Sequence, residues 1–322
     1  MASLTEQSRN LFRKKQHNTD EFKESTFLHE FKTNKGLYFM LVPYFALFLL
    51  MVIIPIIICI ALSFTYYNMF EPPHINGISN YVNIFVNDDI FFISLRNTVL
   101  FAAITGPISF FLCFLVAWFI NDLGKTRRVF LTFVFYAPSL CSAVYFIWQF
   151  LFSGDSFGII NGFLLNVGAI NEPIQWFSDP QYNLVILMIV QVWMSLGTGF
   201  LAFIAGFQSV DHSLYESAAI DGIRNRYQEL FYITIPIMKP QLVFGAVMQI
   251  AASFAVSTIS IQLCGFPSTN YSAHTLVLHI LDYSVIRYEM GYACAVTVVL
   301  FIVTLLFKKI IDMAMRYISS EE

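Results

Sequence analysis

Six long apolar stretches, separated by polar segments, follow one another along the chain of 322 residues. They run over residues 37–64, 97–120, 129–152, 183–207, 241–264 and 290–307, and none of them contains Asp, Glu, Lys or Arg. A helix that crosses the hydrocarbon core of a bilayer needs about 20 apolar residues. Stretches of this length and number do not fit the buried core of a soluble protein. The pattern therefore predicts an all-α, polytopic membrane protein with six transmembrane helices.

The basic residues lie almost entirely on one side of the six stretches. Residues 1–36, 121–128 and 208–240, with the C-terminal tail, hold 16 of the 18 Lys and Arg residues, and Arg96 and Arg287 fall on the other side. Cytoplasmic loops carry the excess of basic residues in membrane proteins. We therefore expect a multi-pass protein of the cell (plasma or inner) membrane with both termini in the cytoplasm.

The composition agrees with this prediction, because only 12% of the residues are charged, against about 25% in soluble domains. The predicted organisation is a cytoplasmic N-terminal tail (1–36), a first transmembrane helix with an extracytoplasmic loop (37–92), a core of five helices (93–312) and a cytoplasmic tail (313–322). The N-terminal tail is polar and mixed in charge and lacks a small-residue cleavage site after a short apolar core. We expect a disordered tail there, not a signal peptide.

A polar segment, residues 208–240, precedes the fifth apolar stretch. Ser213 and Glu216 have the spacing of a capping box, which predicts the start of a helix. Gly222 can end that helix in a left-handed conformation, and a second short helix is predicted to end at Pro236. Lipid-facing parts of a membrane protein do not need such a run, so the segment predicts a surface for a partner. The alternative is that Glu216 and Gly222 are only a cap and a stop.

The residues of this segment resemble a known family. Residues 201–222 read LAFIAGFQSVDHSLYESAAIDG, and Ile-Thr-Ile-Pro follows at residues 233–236. This is similar to the coupling loop of carbohydrate-type permease subunits of bacterial ABC importers. That loop runs close to L-x-x-x-A-G-L-Q-x-I-P-x-x-L-Y-E-A-A-x-I-D-G.

Two shorter motifs extend the resemblance to residues 93–307. They are Asn97-Thr98, which resembles the opening of the conserved module, and Gly291-Tyr292-Ala293, which resembles the start of the last helix. The chain departs from the family pattern at Ser217, usually Ala, and at Asp211, often Pro. One residue more than usual separates Gly222 from Ile233, which leaves open the register of the second short helix, predicted over residues 227–232.

The resemblance implies a permease subunit, of the first-permease type, of an ATP-driven importer of mono- or oligosaccharides. It implies a second permease subunit, cytoplasmic ATP-binding subunits, an extracytoplasmic sugar-binding protein and the lipid bilayer as partners, with no nucleic acid. The helix over residues 214–222 would couple the chain to the ATPase. The coupling residues would be Tyr215, Glu216, Ala218, Ala219, Asp221 and Gly222. The chain would not be an enzyme and would need no cofactor or metal, because a partner subunit hydrolyses ATP.

No group of residues in the sequence predicts catalysis. Residues 124–126 (GKT) end like a phosphate-binding loop, but Phe119 stands where the first glycine is required, and no strand precedes it. We expect His274 and His279 to occupy satisfied structural positions. Because the apolar stretches carry no Asp, Glu, Lys or Arg, a proton relay is not expected, and sodium coupling through backbone carbonyls stays open. We expect the energy for uphill transport to come from outside the chain.

Polar and aromatic residues within the apolar stretches are candidates for a solute path, because a hydroxyl-rich solute needs amide, hydroxyl and aromatic partners. The candidates are Gln149, Trp193, Gln249, Ser253 and Ser257. The last three fall at helical spacing, which predicts one polar stripe on a continuous fifth helix. The alternative is that these residues only form hydrogen bonds to neighbouring helices.

Other functions stay open from the sequence alone. A secondary transporter would be built from inverted repeats, and none is apparent between the two halves of the chain. A membrane enzyme would need His, Asp or Glu clustered at one interface, and the six histidines are scattered. An ABC importer permease for a solute other than a sugar is the third alternative.

Overall fold

The structure is a computed structural model that describes residues 35–320. Its first segment consists of helix α1 (Lys35–Phe48), a π-helical turn (Leu49–Ile53) and helix α2 (Ile54–Leu62). Within this segment, Tyr38–Leu62 is long and apolar enough to cross a membrane. The predicted N-terminal tail up to residue 34 and the last two residues of the C-terminal tail lie outside the described residues.

The elements from residue 65 onwards are almost all helical. Strands β1 (Thr65–Tyr66) and β2 (His74–Ile75) form a short antiparallel pair. The helices are α3 (Ser79–Val86), α4 (Asp89–Asn121), α5 (Lys125–Leu140), α6 (Tyr145–Leu151), α7 (Ile159–Val167), α8 (Asn183–Met194), α9 (Thr198–Ser209), α10 (His212–Ile220), α11 (Arg226–Glu229), α12 (Ile235–Ile237), α13 (Lys239–Phe254), α14 (Thr258–Cys264), α15 (Leu276–Leu281) and α16 (Met290–Ser320). Between them lie 3₁₀ turns (Ser142–Val144, Thr269–Tyr271) and π-helical turns (Leu230–Thr234, Asp282–Ile286). The prediction of an all-α fold is confirmed.

Four helices of the described chain are long and apolar enough to cross a membrane. They are Tyr38–Leu62, Asp89–Asn121, Asn183–Ser209 and Met290–Met313. Two bent pairs qualify if each is counted as one span: α5 with α6, at 85°, and Arg226–Ile237 with α13, at 81°. The predicted count of six is reached when both bent pairs are included, so it is an approximate count.

The third predicted stretch, residues 129–152, is not one straight helix. Helix α5 ends at Leu140, and a 3₁₀ turn (Ser142–Val144) separates it from α6. Pro138 lies inside α5, two residues before its end. Because proline has no backbone N–H, it cannot close the last turns of a helix normally.

The fifth predicted stretch, residues 241–264, is also broken, and the prediction of a continuous helix there is wrong. Helix α13 ends at Phe254, and α14 begins at Thr258. The break leaves backbone groups without partners from the helix. The side chain of Thr275 donates a hydrogen bond to the backbone oxygen of Val256 at 2.7 Å. This bond gives one of these backbone groups a partner.

Helix α4, with 33 residues, lies at the centre of the helical packing and contacts α8, α9 and α13. The ring of Phe203 on α9 packs edge-on against Phe110 and Phe114, at centroid distances of 5.4 and 5.8 Å. Gly245 on α13 faces the same ring, and a Cβ atom there would lie 2.3 Å from it. The absence of a side chain at Gly245 therefore lets α9 and α13 approach closely.

Asn97 and Thr98 of α4 hold the irregular segment between α14 and α15. The side-chain amide of Asn97 lies within hydrogen-bond distance of three backbone oxygens, those of Tyr271 (3.1 Å), Ser272 (3.1 Å) and His274 (3.0 Å). The hydroxyl of Thr98 accepts a hydrogen bond from the backbone N–H of Leu276 at 2.8 Å. The two residues thus supply the partners that unpaired backbone requires.

The carboxylate of Asp88 joins three helices at the N-terminal end of α4. It caps α4 by accepting from the backbone N–H of Phe91 (2.9 Å), and it accepts from His279 of α15 (2.9 Å) and Tyr292 of α16 (2.6 Å). Burial alone would raise the pKa of Asp88, but the hydrogen bonds from His279 and Tyr292 outweigh it and hold the pKa well below its usual range. His279 is therefore satisfied at Nε2 only, because its Nδ1 is buried without a hydrogen-bond partner among the described residues.

His274 is buried, and neither of its ring nitrogens has a hydrogen-bond partner among the described residues. Its ring stacks on Phe266 at 5.8 Å and lies 5.8 Å from the ring of His279, which separates it from Asp88. Burial lowers the pKa of His274 to about 4. The expectation that its polar atoms are satisfied is wrong, because rings surround it where donors or acceptors would be needed.

We predict that His274 makes the protein sensitive to acid. An unfolded histidine titrates near pH 6.5, and the folded pKa is about 4. The neutral folded form therefore contributes stability that is fully present above about pH 6.5 and is lost as the pH falls towards about 4. Thermal unfolding of the purified protein in detergent should show a loss of up to about 3 kcal/mol over this range.

The variant His274→Phe keeps the stacking and removes the titration, so its unfolding temperature should depend less on pH. His74→Phe, at an exposed position of β2, is the control and should behave like the unmodified protein. Equal pH dependence in His274→Phe and the unmodified protein would contradict this assignment.

Candidate functional site

The polar segment after the fourth span forms the short helix α10. The side chain of Asp211 caps it by accepting a hydrogen bond from the backbone N–H of Ser213 at 3.0 Å. The predicted capping box of Ser213 and Glu216 is therefore wrong. Asp211 has an extended backbone and directly precedes the helix, so its carboxylate reaches the free N–H groups of the first turn, whereas Ser213 already lies within that turn.

Gly222 ends α10 in the left-handed region, with φ +95°, as the sequence predicts. The backbone N–H of Gly222 donates to the oxygen of Ala219 (3.4 Å), and the N–H of Ile223 donates to the oxygen of Ala218 (3.0 Å). These two bonds form a Schellman motif, which satisfies carbonyls at the end of the helix. A residue with a Cβ atom at position 222 would be strained by about 1 kcal/mol or more.

The six residues predicted to couple the chain to an ATPase lie on both faces of α10 and its C-terminal turn. Tyr215 is half-buried and Ala218 is buried. The exposed ones are Glu216, Ala219, Asp221 and Gly222. The hydroxyl of Tyr215 forms a hydrogen bond with that of Thr234 at 2.9 Å, which fixes the inner face. The outer face presents Glu216 and, one turn later, Ile220, which is 87% exposed.

A second short helix follows Gly222, as predicted, although it starts one residue earlier. Helix α11 begins with a capping box in which Asn225 accepts from the backbone, and Gln228 accepts from the backbone N–H of Asn225. This arrangement satisfies two N–H groups of the first turn reciprocally. The helix start is therefore fixed by side chains of the loop itself.

The second helix does not end at Pro236, and this prediction is wrong. It passes through a π-helical turn (Leu230–Thr234) and continues to Ile237. In an α-helix the ring of Pro236 would clash with the backbone carbonyl four residues earlier, and the wider π-helical turn relieves this clash. A π-helical turn contains one residue more than an α-helical turn, and this turn overlaps the stretch between Gly222 and Ile233 that is one residue longer than the family pattern.

A polar cavity of about 690 Å³ lies between α10 and the ends of α4, α5 and α9. Residues of α11 and of the π-helical turn after it complete its wall. The titratable side chains that line it are Asp122, Arg128, His212, Tyr215, Arg226 and Glu229. A lining of this kind suits water, so the space between α10 and the ends of α4 and α5 can hold water. Tyr215 of α10 also packs against the buried apolar cluster that includes Phe207 and Leu230.

Two candidates for the solute path, Gln249 and Ser253, are buried between helices. The amide of Gln249 donates to the backbone oxygen of Ser195 at 3.0 Å and to the sulfur of Cys113 at 3.2 Å. The hydroxyl of Ser253 donates to the backbone oxygen of Gln249 and accepts from Thr105. These contacts join α4, α13 and the end of α8 in the conformation described.

The other three candidates lie elsewhere and are half-buried. Ser257 occupies the break between α13 and α14, so the predicted continuous stripe with Gln249 and Ser253 is wrong. Gln149 on α6 donates to the backbone oxygen of Gln262 at 2.7 Å. Trp193 packs edge-on against Trp148 at 5.4 Å, and the indole N–H of Trp148 is buried without a partner among the described residues.

Sequence reasoning missed an ion pair between Asp122, just after α4, and Arg226, the first residue of α11. The guanidinium of Arg226 also lies over the ring of Trp118, 5.6 Å from the centroid, and Trp118 contacts the ring of Tyr227 at 5.6 Å. No local pattern signals these contacts, because their two halves lie about a hundred residues apart in the chain.

The chain matches the family model of the binding-protein-dependent transport system inner membrane component over residues 107–320. It is 31% identical to the probable ABC transporter permease protein YesP of Bacillus subtilis (strain 168), covering 90% of this chain and 95% of YesP. It is 30% identical to the arabinooligosaccharides transport system permease protein AraP of the same strain, covering 83% and 84% of the two chains.

The fold is similar to that of a chain in the crystal structure of a bacterial alginate ABC transporter in complex with a periplasmic protein that carries an alginate pentasaccharide. The TM-score is 0.72 at 22% sequence identity, and the match covers 90% of this chain and 97% of that one. The similarity therefore extends over nearly the whole of both chains.

We predict that cysteines introduced by Gln249→Cys and Ser253→Cys react slowly with small polar thiol reagents. Both positions are buried, and the reaction needs a thiolate and hence water. The measurement is the labelling rate in a background without the five native cysteines, with the cysteine of Ile220→Cys as the exposed control. We also expect Gln249→Leu to lower stability by about 1 kcal/mol. Labelling of Gln249→Cys as fast as that of Ile220→Cys would instead place Gln249 on a water-filled path.

Proposed function

The chain belongs to the family of binding-protein-dependent transport system inner membrane components, and we propose that it is the permease subunit of an ATP-driven importer of mono- or oligosaccharides. In this proposal the chain forms part of the solute path and catalyses no reaction. Cytoplasmic ATP-binding subunits hydrolyse ATP and dock on α10. A second permease subunit completes the path, and an extracytoplasmic sugar-binding protein delivers the sugar.

The observation that carries the proposal is the construction of α10. Both ends of this nine-residue helix are closed by local hydrogen bonds, at Asp211 and at Gly222. Its inner face is tied to the chain through Tyr215, and its outer face presents Glu216 and Ile220. A short helix that is fixed at both ends and exposed on its outer face can move as a rigid body when a partner binds that face. The distribution of basic residues supports a cytoplasmic position for α10, the side on which the proposed ATP-binding subunits would hydrolyse ATP.

Support for a sugar comes from the relatives and from the chemistry of the spans. AraP is named for arabinooligosaccharides, and the structurally similar transporter carries alginate. In this chain, Trp193 and Trp148 offer aromatic faces. Gln149 offers an amide group, and Ser257 offers a hydroxyl group. The solute path would run past Gln149, Trp193 and Ser257. Gln249 and Ser253 would hold the helices behind it.

The competing functions are a secondary transporter and an ABC permease for a solute other than a sugar. The six apolar stretches contain no Asp, Glu, Lys or Arg, whereas proton-coupled carriers place ionisable groups in the membrane. This observation favours an external energy source. The identity of the solute can be read from the ligand of the binding protein that purifies with the complex.

We predict that uptake depends on ATP and not on a proton gradient. In vesicles that contain the purified complex and its binding protein, sugar uptake should stop when ATP is withheld. It should continue when a protonophore removes the proton gradient in the presence of ATP. Uptake driven by an imposed proton gradient without ATP would overturn the proposed function.

We predict that Gly222→Asp abolishes uptake and weakens association with the ATP-binding subunits. The substitution strains the turn by about 1 kcal/mol or more and changes the end of the docking helix. Gly168→Asp is a matched control, because Gly168 ends α7 with φ +73° and also has open space around it. This variant carries the same backbone strain on the opposite side of the membrane.

The measurements are copurification of the ATP-binding subunits and sugar uptake at equal protein levels in the membrane. Gly168→Asp should retain the association with the ATP-binding subunits that Gly222→Asp loses. Normal uptake in Gly222→Asp would show that the end of α10 is not part of the docking surface.

A further inference from the structure

The polar cavity beneath α10 poses a mechanical problem for coupling. If α10 receives the displacement produced by an ATPase, a cavity of about 690 Å³ lies between α10 and the ends of α4 and α5, whereas α9 joins α10 directly through Val210 and Asp211. Water in an open polar cavity rearranges freely and gives no directed push. Energetic coupling is carried instead by packed side chains, ion pairs and hydrogen bonds that connect rigid elements. The contacts that bridge the cavity therefore decide where the displacement goes.

One connection runs through a side-chain hydrogen bond into the part of the chain that leads to α13. The hydroxyl of Tyr215 forms a hydrogen bond with Thr234 in the π-helical turn, and the turn leads through α12 to α13. The chain bends by 81° between the helix that ends at Ile237 and α13. A displacement that follows this route has to pass through a sharp bend before it reaches a long helix.

A second connection crosses directly to α4, and we name it the clasp: Asp122, Arg226 and Trp118. Arg226 pairs with the carboxylate of Asp122 and lies over the ring of Trp118 at 5.6 Å. Tyr227, the next residue, contacts the same ring. Trp118 lies in the last turn of α4, and Asp122 directly follows that helix. The clasp therefore attaches the loop after α10 to the helix around which α8, α9 and α13 pack.

Arginine suits both contacts of the clasp. Its planar guanidinium can pair with a carboxylate and stack on an aromatic ring at the same time, whereas lysine offers a point charge on a flexible stem. The pair is partly exposed, with 48% of the Arg226 side chain and 33% of the Asp122 side chain accessible. Pairs of this kind contribute little to folding stability, so variants that break the ion pair should still fold and can be tested for transport.

We propose that the clasp is a positioning device that carries the displacement of α10 to α4 and so couples ATP hydrolysis to movement of the solute path. This inference rests on the proposed function. Asp122, Arg226 and Trp118 do not touch the sugar, and they act through α4. The clasp adds a direct route to the centre of the helical bundle beside the route along the chain through α13.

The test uses the whole complex in vesicles, with four variants: Asp122→Arg, Arg226→Asp, the double charge swap, and Arg224→Asp. Arg224 is an exposed arginine of the same loop outside the clasp, so its variant is matched for charge change and position. Three quantities are measured: association with the ATP-binding subunits, ATP hydrolysis, and sugar molecules transported per ATP hydrolysed.

Each single clasp variant should keep the ATP-binding subunits and hydrolyse ATP, while transport per ATP falls about tenfold, within the range of allosteric couplings. The double swap restores the ion pair with reversed charges but not the stacking on Trp118. It should therefore recover the part of the loss that the ion pair causes, as a coupled pair does in a double-mutant cycle. Arg224→Asp should transport like the unmodified complex.

Unchanged transport per ATP in both single variants, or a double swap no better than the single variants, would overturn the role of the clasp. An unmodified complex that takes up no sugar with ATP would instead overturn the proposed function. A second readout separates the two without sugar. Hydrogen exchange at the end of α4 should change when the ATP-binding subunits dock on the unmodified chain, and should not change for Arg226→Asp. Equal exchange responses in both chains would likewise overturn the clasp.

Discussion

Every interruption of a helix within an apolar span creates backbone groups that lipid cannot satisfy, and this constraint organises the fold. The break between α13 and α14 and the irregular segment after α14 depend on side chains of other elements. Asn97 reaches three backbone oxygens of that segment, and Thr275 reaches the oxygen of Val256. Helix α4 is central for this reason as well as for its packing, because its Asn97 side chain donates to the irregular segment after α14.

The spans could be predicted because hydrophobicity is a property of each residue, and a run of about 20 needs no knowledge of its neighbours. The turn at Gly222 could be predicted for a similar reason, since a left-handed residue is a local requirement. Pro138 is a local signal for the break inside residues 129–152, but the break inside residues 241–264 has no such signal. Whether a helix continues there depends on partners such as Thr275, which lies 19 residues beyond Val256.

The candidate site shows the same division between local and distant information. The sequence motif predicts the position of α10, but the spacing of Ser213 and Glu216 alone indicates the wrong cap. The extended backbone of Asp211 makes this residue the cap, and that conformation is visible only in the structure. The contacts of Arg226 with Asp122 and Trp118 had no signal in the sequence, because nothing in either segment indicates that the other lies beside it. The prediction of one polar stripe is wrong because helical periodicity holds only along an unbroken helix, and this helix breaks between Phe254 and Thr258.

The two π-helical turns that precede Pro55 and Pro236 have a consequence for how such a chain can change over generations. An inserted residue in an ordinary helix rotates everything after it by about 100° and would turn its packed face away from its neighbours. A π-helical turn confines the insertion to one turn, so the faces of α12 and α13 keep their orientation. An insertion of one residue in the loop after α10 can therefore be accommodated without rotating the surfaces on either side of it.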